Sequence, residues 1–117
     1  MSTSASPGLT ELRRGVVEYC VMALLEERER YGLELVRTLA SLDRLVTSEG
    51  TVYPLLSRLR DAGWVSTTWR QEGDDRPRKY YKLTAAGGAA LGQFREDWSR
   101  FQSVVDRVIK VKVEART

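Results

Sequence analysis

Between Ser48 and Val65 the chain reads Ser-Glu-Gly-Thr-Val-Tyr-Pro-Leu-Leu-Ser-Arg-Leu-Arg-Asp-Ala-Gly-Trp-Val, and further on comes Arg76-Pro-Arg-Lys-Tyr-Tyr-Lys-Leu-Thr84. In the first string Val52, Leu55, Leu56 and Leu59 recur at helical spacing, which leaves Glu49, Thr51, Tyr53, Ser57 and Arg58 on the outer side. Hydrogen-bonding side chains on a rigid rod are suited to reading base edges, because a DNA major groove admits an α-helix. The second string alternates like a strand and carries Arg76, Arg78 and Lys79, cations that reach phosphates or an adjacent minor groove. The chemistry in prospect is polar and electrostatic recognition of a nucleic acid.

Catalysis is hard to build from this composition. Histidine is absent, which removes Ser-His and Cys-His nucleophiles, histidine-ligated zinc and a histidine pH switch. No metal site and no cofactor are expected. The single cysteine, Cys20, excludes an internal disulfide, and its apolar neighbours Val16-Val-Glu-Tyr-Cys-Val-Met-Ala-Leu-Leu25 make it a small buried hydrophobe. With 19 Lys+Arg against 16 Asp+Glu, the net charge of +3 suits a polyanionic partner without requiring one. The positive excess begins where the candidate groove reader begins. The start, Met1-Ser-Thr-Ser-Ala-Ser-Pro-Gly8, lacks a basic region followed by a hydrophobic one, and no stretch approaches the ~18 apolar residues of a membrane span. A cytoplasmic chain with no membrane partner is the expectation.

At 117 residues the chain is one domain with room for a core. Leu12, Val16, Tyr19, Cys20, Ala23 and Leu24 predict a first helix over 9–27. After the polar turn Arg28-Glu-Arg30, Leu35, Val36, Leu39 and Leu42 predict a second, ending near Asp43. The third opens at 49–51, where Gly50 permits the turn, Ser48 or Thr51 can cap, and Pro54 is tolerated if it falls in the first turn. Gly63 stops it. Strands are predicted over 64–70 and 79–84, joined by the polar loop 71–78. Three helices and a hairpin make a winged helix. The fold class is α+β, mainly α: a winged helix-turn-helix with a long C-terminal dimerisation helix.

That last helix is opened by Thr84 as N-cap and runs to about Val113. Leu91, Phe94, Trp98, Phe101, Val105 and Val108 fall three and four residues apart in turn, a heptad seam widened by Val104 and Ile109. Nothing obvious in a lone winged helix covers this stripe. Six such side chains at ~1.5–3 kcal/mol each represent on the order of 9–18 kcal/mol before ordering costs, which favours a dimer. Gly87, Gly88 and Gly92 weaken the start of the helix and permit close approach or a hinge. The organisation is then a disordered tail over 1–8, a DNA-binding domain over 9–84, a dimerisation helix over 85–113 and a short tail over 114–117.

Three strings carry a resemblance. Tyr31-Gly32, Gly50-Thr-Val-Tyr-Pro-Leu-Leu-Ser-Arg-Leu59 and Arg76-Pro-Arg-Lys-Tyr-Tyr-Lys-Leu-Thr-Ala-Ala-Gly87 closely resemble the PadR family of bacterial transcriptional regulators, over roughly residues 10–110. The single C-terminal helix resembles its short subfamily. The resemblance implies a homodimeric, non-enzymatic repressor on a palindromic double-stranded DNA operator, with the last helix packed on the partner's first. It implies that Ser48, Glu49, Thr51, Tyr53, Pro54 and Ser57 sit at the groove and that Arg76, Arg78, Lys79 and Tyr81 serve the wing. Arg58 and Arg60 are placed to clamp phosphates. Either Tyr80 or Tyr81 must face the core, because successive strand residues point oppositely. Asp74 and Asp75 stand where the family often has neutral or basic residues, and they repel DNA at the wing tip.

Trp98-Ser-Arg100 resembles the tryptophan segment that, in the short subfamily, lines a pore between the two copies and stacks planar aromatic drugs. Phe94, Trp98, Phe101, Val104 and Asp106 are the residues that would line it, and release of the repressor by such an effector or another signal is what the resemblance implies. Two readings stand side by side here: a ligand pore, or a dimer core that Phe94 and Phe101 fill. For the chain as a whole the alternative to a DNA-binding regulator is a winged-helix interaction module docking an acidic partner protein. A third class is a small-molecule-binding dimer that rests on Trp98 alone.

Overall fold

The computed structural model describes residues 15–42 and 49–115; the expected tail 1–8, the first turns of the first helix with Leu12, Asp43, the cap Ser48 and residues 116–117 lie outside them. Among the described residues four helices and three strands follow in the order α1 (Val17–Glu27), β1 (Arg30–Tyr31), α2 (Gly32–Ser41), α3 (Glu49–Asp61), β2 (Val65–Arg70), β3 (Arg78–Leu83) and α4 (Ala85–Ala115). This is the winged helix expected from the sequence. Its core is one cluster in which α1 buries Val17, Val21, Met22 and Leu25, α2 buries Leu35, Val36 and Leu39, and α3 buries Val52, Leu55, Leu56 and Leu59. Each set repeats at three- and four-residue intervals, so one stripe per helix meets the other two.

Several local expectations are corrected. Gly15 and Val16 form a turn, and the helix proper begins at Val17. Arg30, expected in a polar turn, forms β1 with Tyr31 and pairs antiparallel with β3 through Arg30↔Tyr81 and Tyr31↔Tyr80. The sheet order is therefore β1-β3-β2. Arg30 is 7 % exposed, and its guanidinium donates to the carbonyl of Leu24 at 3.1 Å and to Glu27 at 2.7 Å, which answers the cost of burying a cation. Pro54 lies inside α3 rather than in its first turn, so the helix forgoes one backbone donor on its outer side.

The junctions are tightly specified. At the end of α3 Gly63 adopts φ +81°, Gly63 N–H donates to the carbonyl of Arg60 at 2.9 Å and Trp64 N–H to that of Leu59 at 3.0 Å, the paired bonds of a Schellman stop. Thr84 caps α4 as expected: Gly87 N–H donates to its hydroxyl oxygen at 3.0 Å. The same hydroxyl donates to the carbonyl of Gly63 at 2.7 Å, and Thr84 N–H donates to the carbonyl of Trp64 at 3.0 Å. A β-carbon on Gly87 would stand 2.1 Å from that Trp64 oxygen, whereas one on Gly88 or Gly92 meets nothing within 4 Å. Of the three glycines, then, Gly87 is the one that close approach requires.

Helix α4 continues to Ala115, two residues past its expected end, and at about 1.5 Å per residue spans roughly 46 Å. Its first turns belong to the body of the chain. Leu91 is 2 % exposed within the common core, Phe94 stacks on Tyr19 of α1 with centroids 4.0 Å apart, and Arg95 reaches Glu26 at 2.9 and 3.2 Å. Leu91 is therefore a residue of the monomer's own core, against the expectation that placed it in the dimer seam. Trp98, Phe101, Val104, Val108 and Ile109 remain exposed.

Candidate nucleic-acid interface

Helix α3 presents two chemically different sides. Val52, Leu55, Leu56 and Leu59 hold it on the core, and Thr51, Tyr53, Pro54, Ser57, Arg58 and Arg60 are exposed. Ser48 and the side chain of Glu49 lie outside the described part. The ring of Tyr53 lies against the start of α2, where Gly32 makes room: a β-carbon there would stand 2.3 Å from Tyr53 Cε1. A side chain at Gly32 would displace the Tyr53 ring from this position. The resulting face is an amphipathic rod with hydroxyls, a phenol and two guanidiniums outward, the side-chain set that reads groove edges and phosphates.

The wing has two faces with separate chemistry. In the β2–β3 register Trp69 lies opposite Lys79, Thr67 opposite Tyr81 and Arg70 opposite Arg78, and directly paired residues share a face. On one face the Arg70 guanidinium lies 4.6 Å over the Tyr80 ring and also pairs with Glu29, while the Tyr80 hydroxyl donates to Glu72 at 3.0 Å. Arg78 lies 4.4 Å over Tyr31. A cleft of about 170 Å³ here is lined by Arg70, Arg76 and Arg78 together with Glu72 and Asp75. Carboxylates among the cations lower the local potential, so the expected repulsion at Asp74 and Asp75 extends in part to Arg76.

The other face of the wing turns towards α3. Tyr53 and Ser57 of α3 share a cleft of about 540 Å³ with Trp69, Arg78, Lys79 and Tyr81 of the hairpin, so α3 and the wing form one concave surface. Tyr81 itself is 6 % exposed and part of the core. The wing contact that the family pattern implies for it is corrected, because alternation turns it inward and leaves Tyr80 half-exposed on the opposite face. Burial first, then the neighbouring Tyr53 hydroxyl, push the Tyr81 phenol upward, with Arg60 opposing. Burial first and then the bond to Glu72 push Tyr80 upward too, so both remain neutral donors near pH 7. Lys79 is half-buried with Nζ 5.9 Å from the Tyr81 ring centroid.

Residues 21–93 match the family model described as the transcriptional regulator PadR-like family. The chain belongs to the PadR-like family of transcriptional regulators. Similar solved structures include a PadR-like transcription factor from Bacteroides fragilis at 35% identity and TM-score 0.72, covering 88% of this chain and 99% of that one. A PadR-like transcriptional regulator from Bacillus cereus is 29% identical with TM-score 0.78 over 85% and 96% of the two chains. A padr family transcriptional regulator from Eggerthella lenta is 33% identical with TM-score 0.77 over 86% and 88%. The family is one of DNA-binding regulators rather than enzymes, and the protein is accordingly a PadR-like DNA-binding regulator. Among the described residues no helix is long and apolar enough to cross a membrane.

Sequence reasoning passed over Arg70, Trp69 and Tyr31. Arg70 and Tyr31 gain their roles from β1, a two-residue strand too short to leave a periodic signal. Trp69 was legible in principle, since any hairpin register that buries Val65 puts residue 69 on the same face.

Proposed function

We propose that this PadR-like regulator is a cytoplasmic homodimeric repressor of a palindromic operator, with the exposed stripe of α4 as its dimer seam. The observation that carries the reading is that Phe101 is 61 %, Val108 58 % and Ile109 58 % exposed, on a helix that has left its own core. A single short reader binds DNA weakly; two related by a two-fold axis meet successive major grooves ~34 Å apart and gain specificity from the spacing. Thr51, Tyr53, Pro54 and Ser57, with Ser48 and Glu49, read the groove; Arg58, Arg76, Arg78 and Lys79 hold phosphates.

Trp98, 40 % exposed, lies between Phe94 at 6.0 Å and Phe101 at 6.5 Å. Phe94 is backed by Tyr19, so it acts as a wall and leaves Trp98, Phe101 and Val104 to meet a planar aromatic effector between the two copies. Such a ligand acts by favouring a dimer whose readers no longer match the groove spacing. Quenching of tryptophan emission by planar aromatic compounds, abolished by Trp98→Ala with Trp64 and Trp69 intact, is the expected signature.

The deciding experiment is DNA binding against salt. If the dimer neutralises about 8 phosphates, log affinity falls with log salt with a slope of roughly −7. Arg78→Ala with Lys79→Ala weakens all duplexes alike, whereas changes at Thr51 or Tyr53 alter sequence preference. Salt-independent binding, or the same response from both classes, refutes the assignment.

A further inference from the structure

The wing carries its largest side chain in the open. Trp69 is 66 % exposed, and no ring or cation of the described residues packs on it. It stands on β2, an edge strand of the sheet, and its register partner is Lys79, so indole and ammonium emerge side by side from the face that looks across to α3. The cleft between them and α3 is lined by Tyr53, Ser57 and Arg78 as well.

Charge separates this cleft from the one on the reverse of the wing. No carboxylate lines it among the described residues, while the reverse cleft sets Glu72 and Asp75 among its arginines; Arg78, rooted on the reverse face opposite Arg70, lines both clefts from their shared edge. An apolar plate beside two cations, with hydroxyls on the opposite wall, is complementary to a ligand that repeats an anion and a flat C–H surface at short spacing. The sugar–phosphate backbone of DNA has that pattern. An unstacked base would also lie on an indole, as in single-strand binders, but beside a helix seated in a major groove the bases stay paired and the backbone is what the wing meets.

We infer that the cleft between α3 and the wing is a clamp for one DNA backbone strand, in which the Trp69 indole packs on a deoxyribose while Lys79 and Arg78 pair with the adjoining phosphates. The inference rests on the DNA-binding reading of the chain and gives that reading a contact that no base sequence changes. Trp69 sets affinity and docking angle; the cations set salt dependence. Apolar packing releases no counterion, so the two contributions separate experimentally.

The test uses the full chain, one duplex carrying the operator selected from random sequence and one mixed-sequence duplex of equal length. Trp69→Ala is expected to weaken both about tenfold with the salt slope unchanged, and Trp69→Phe to retain most of the affinity. Lys79→Ala is expected to weaken both and to flatten the slope by about one per protomer. DNA should shield Trp69 from acrylamide quenching, a protection that Trp69→Phe removes. Binding by Trp69→Ala equal to wild type, a loss confined to the operator, a flattened slope, or an equal loss for heparin overturns the clamp while leaving the regulator intact. Failure of the wild-type chain to bind any duplex defeats the DNA-binding reading itself.

Discussion

Replacing Phe101 and Val108 together by alanine tests the seam where it is most exposed. Full burial of such side chains gains ~1.5–3 kcal/mol each, scaling with the apolar area removed from water. With 61 % of Phe101 and 58 % of Val108 still accessible, pairing of two copies recovers somewhat over half of that, or about 2–3 kcal/mol per protomer once the carbon that alanine keeps is discounted. Two protomers double the loss to about 4–6 kcal/mol, and at ~1.4 kcal/mol per decade the dissociation constant rises by three to four orders of magnitude. Sedimentation velocity over a concentration series reads this directly. Circular dichroism should stay helical, because neither side chain belongs to the core that Leu91 closes. Arg100→Ala is the control: its partner Asp97 is 3.6 Å away and both are largely solvated, so it contributes at most ~1 kcal/mol. A double variant that dimerises like wild type, or a wild-type chain that stays monomeric, would refute the assignment of this stripe to a second copy.

Three further outcomes follow from local geometry. Gly87→Ala drives a methyl onto the Trp64 carbonyl and should cost about 1–3 kcal/mol, whereas Gly88→Ala, which meets open space, should stabilise by up to ~1 kcal/mol; thermal melts that shift the two in the same direction contradict the model of the junction. Burial pushes the Cys20 thiol upward, and the thiolate is the reactive form. Iodoacetamide should therefore modify it more slowly at neutral pH than it modifies glutathione, with a rate still climbing at alkaline pH. The Arg95 hydrogen bond holds the Glu26 carboxyl below its usual range, so its stabilisation is complete above the ordinary carboxylate value of ~4.3 and fades as pH falls through the lower folded value. Glu26→Gln should lower stability slightly at neutral pH and flatten the acid side, so that the difference from wild type disappears as pH falls through the folded value; a loss centred above the ordinary carboxylate value would show that another group is responsible.

The helices, the hairpin and the caps were legible because each has a local cause. Leu55, Leu56 and Leu59 announce a buried stripe, Gly63 a stop, and Thr84 a start, and each does in the fold what its chemistry allows. What escaped depended on distant partners. Arg30 reads as one of three charged residues in a turn until β3 offers Tyr81 to pair with and Leu24 a carbonyl to bond. Leu91 and Phe101 are both seam positions of one heptad pattern, yet one is closed in by α1 and the other lies beyond its reach. Periodicity reports that a stripe is apolar and carries no information on which molecule covers it. The family pattern likewise supplied a tyrosine to the wing but not its direction, which the sheet register fixes by turning Tyr81 inward.

The junction at Trp64 constrains how any signal on α4 reaches DNA. Trp64 N–H ends α3 on the carbonyl of Leu59, its own carbonyl receives Thr84 N–H at the start of α4, and Gly87 makes room for that oxygen where a β-carbon would collide with it. Its ring meets Tyr19 at 6.2 Å, and Tyr19 meets Phe94 at 4.0 Å, so packed rings run from this junction to Trp98. Contiguity is not coupling, which requires an element with two arrangements that both sites bias. The junction does not offer one: hydrogen bonds from Thr84 to both Gly63 and Trp64 tie the end of α3, the root of the wing and the first turn of α4 into one body. The freedom left in a dimer is the angle at which the two α4 stripes cross. In the proposed dimer each reading head would move with its own helix, and a change of a few degrees at the seam would be amplified along the roughly 46 Å of α4 into the separation between the two proposed groove readers.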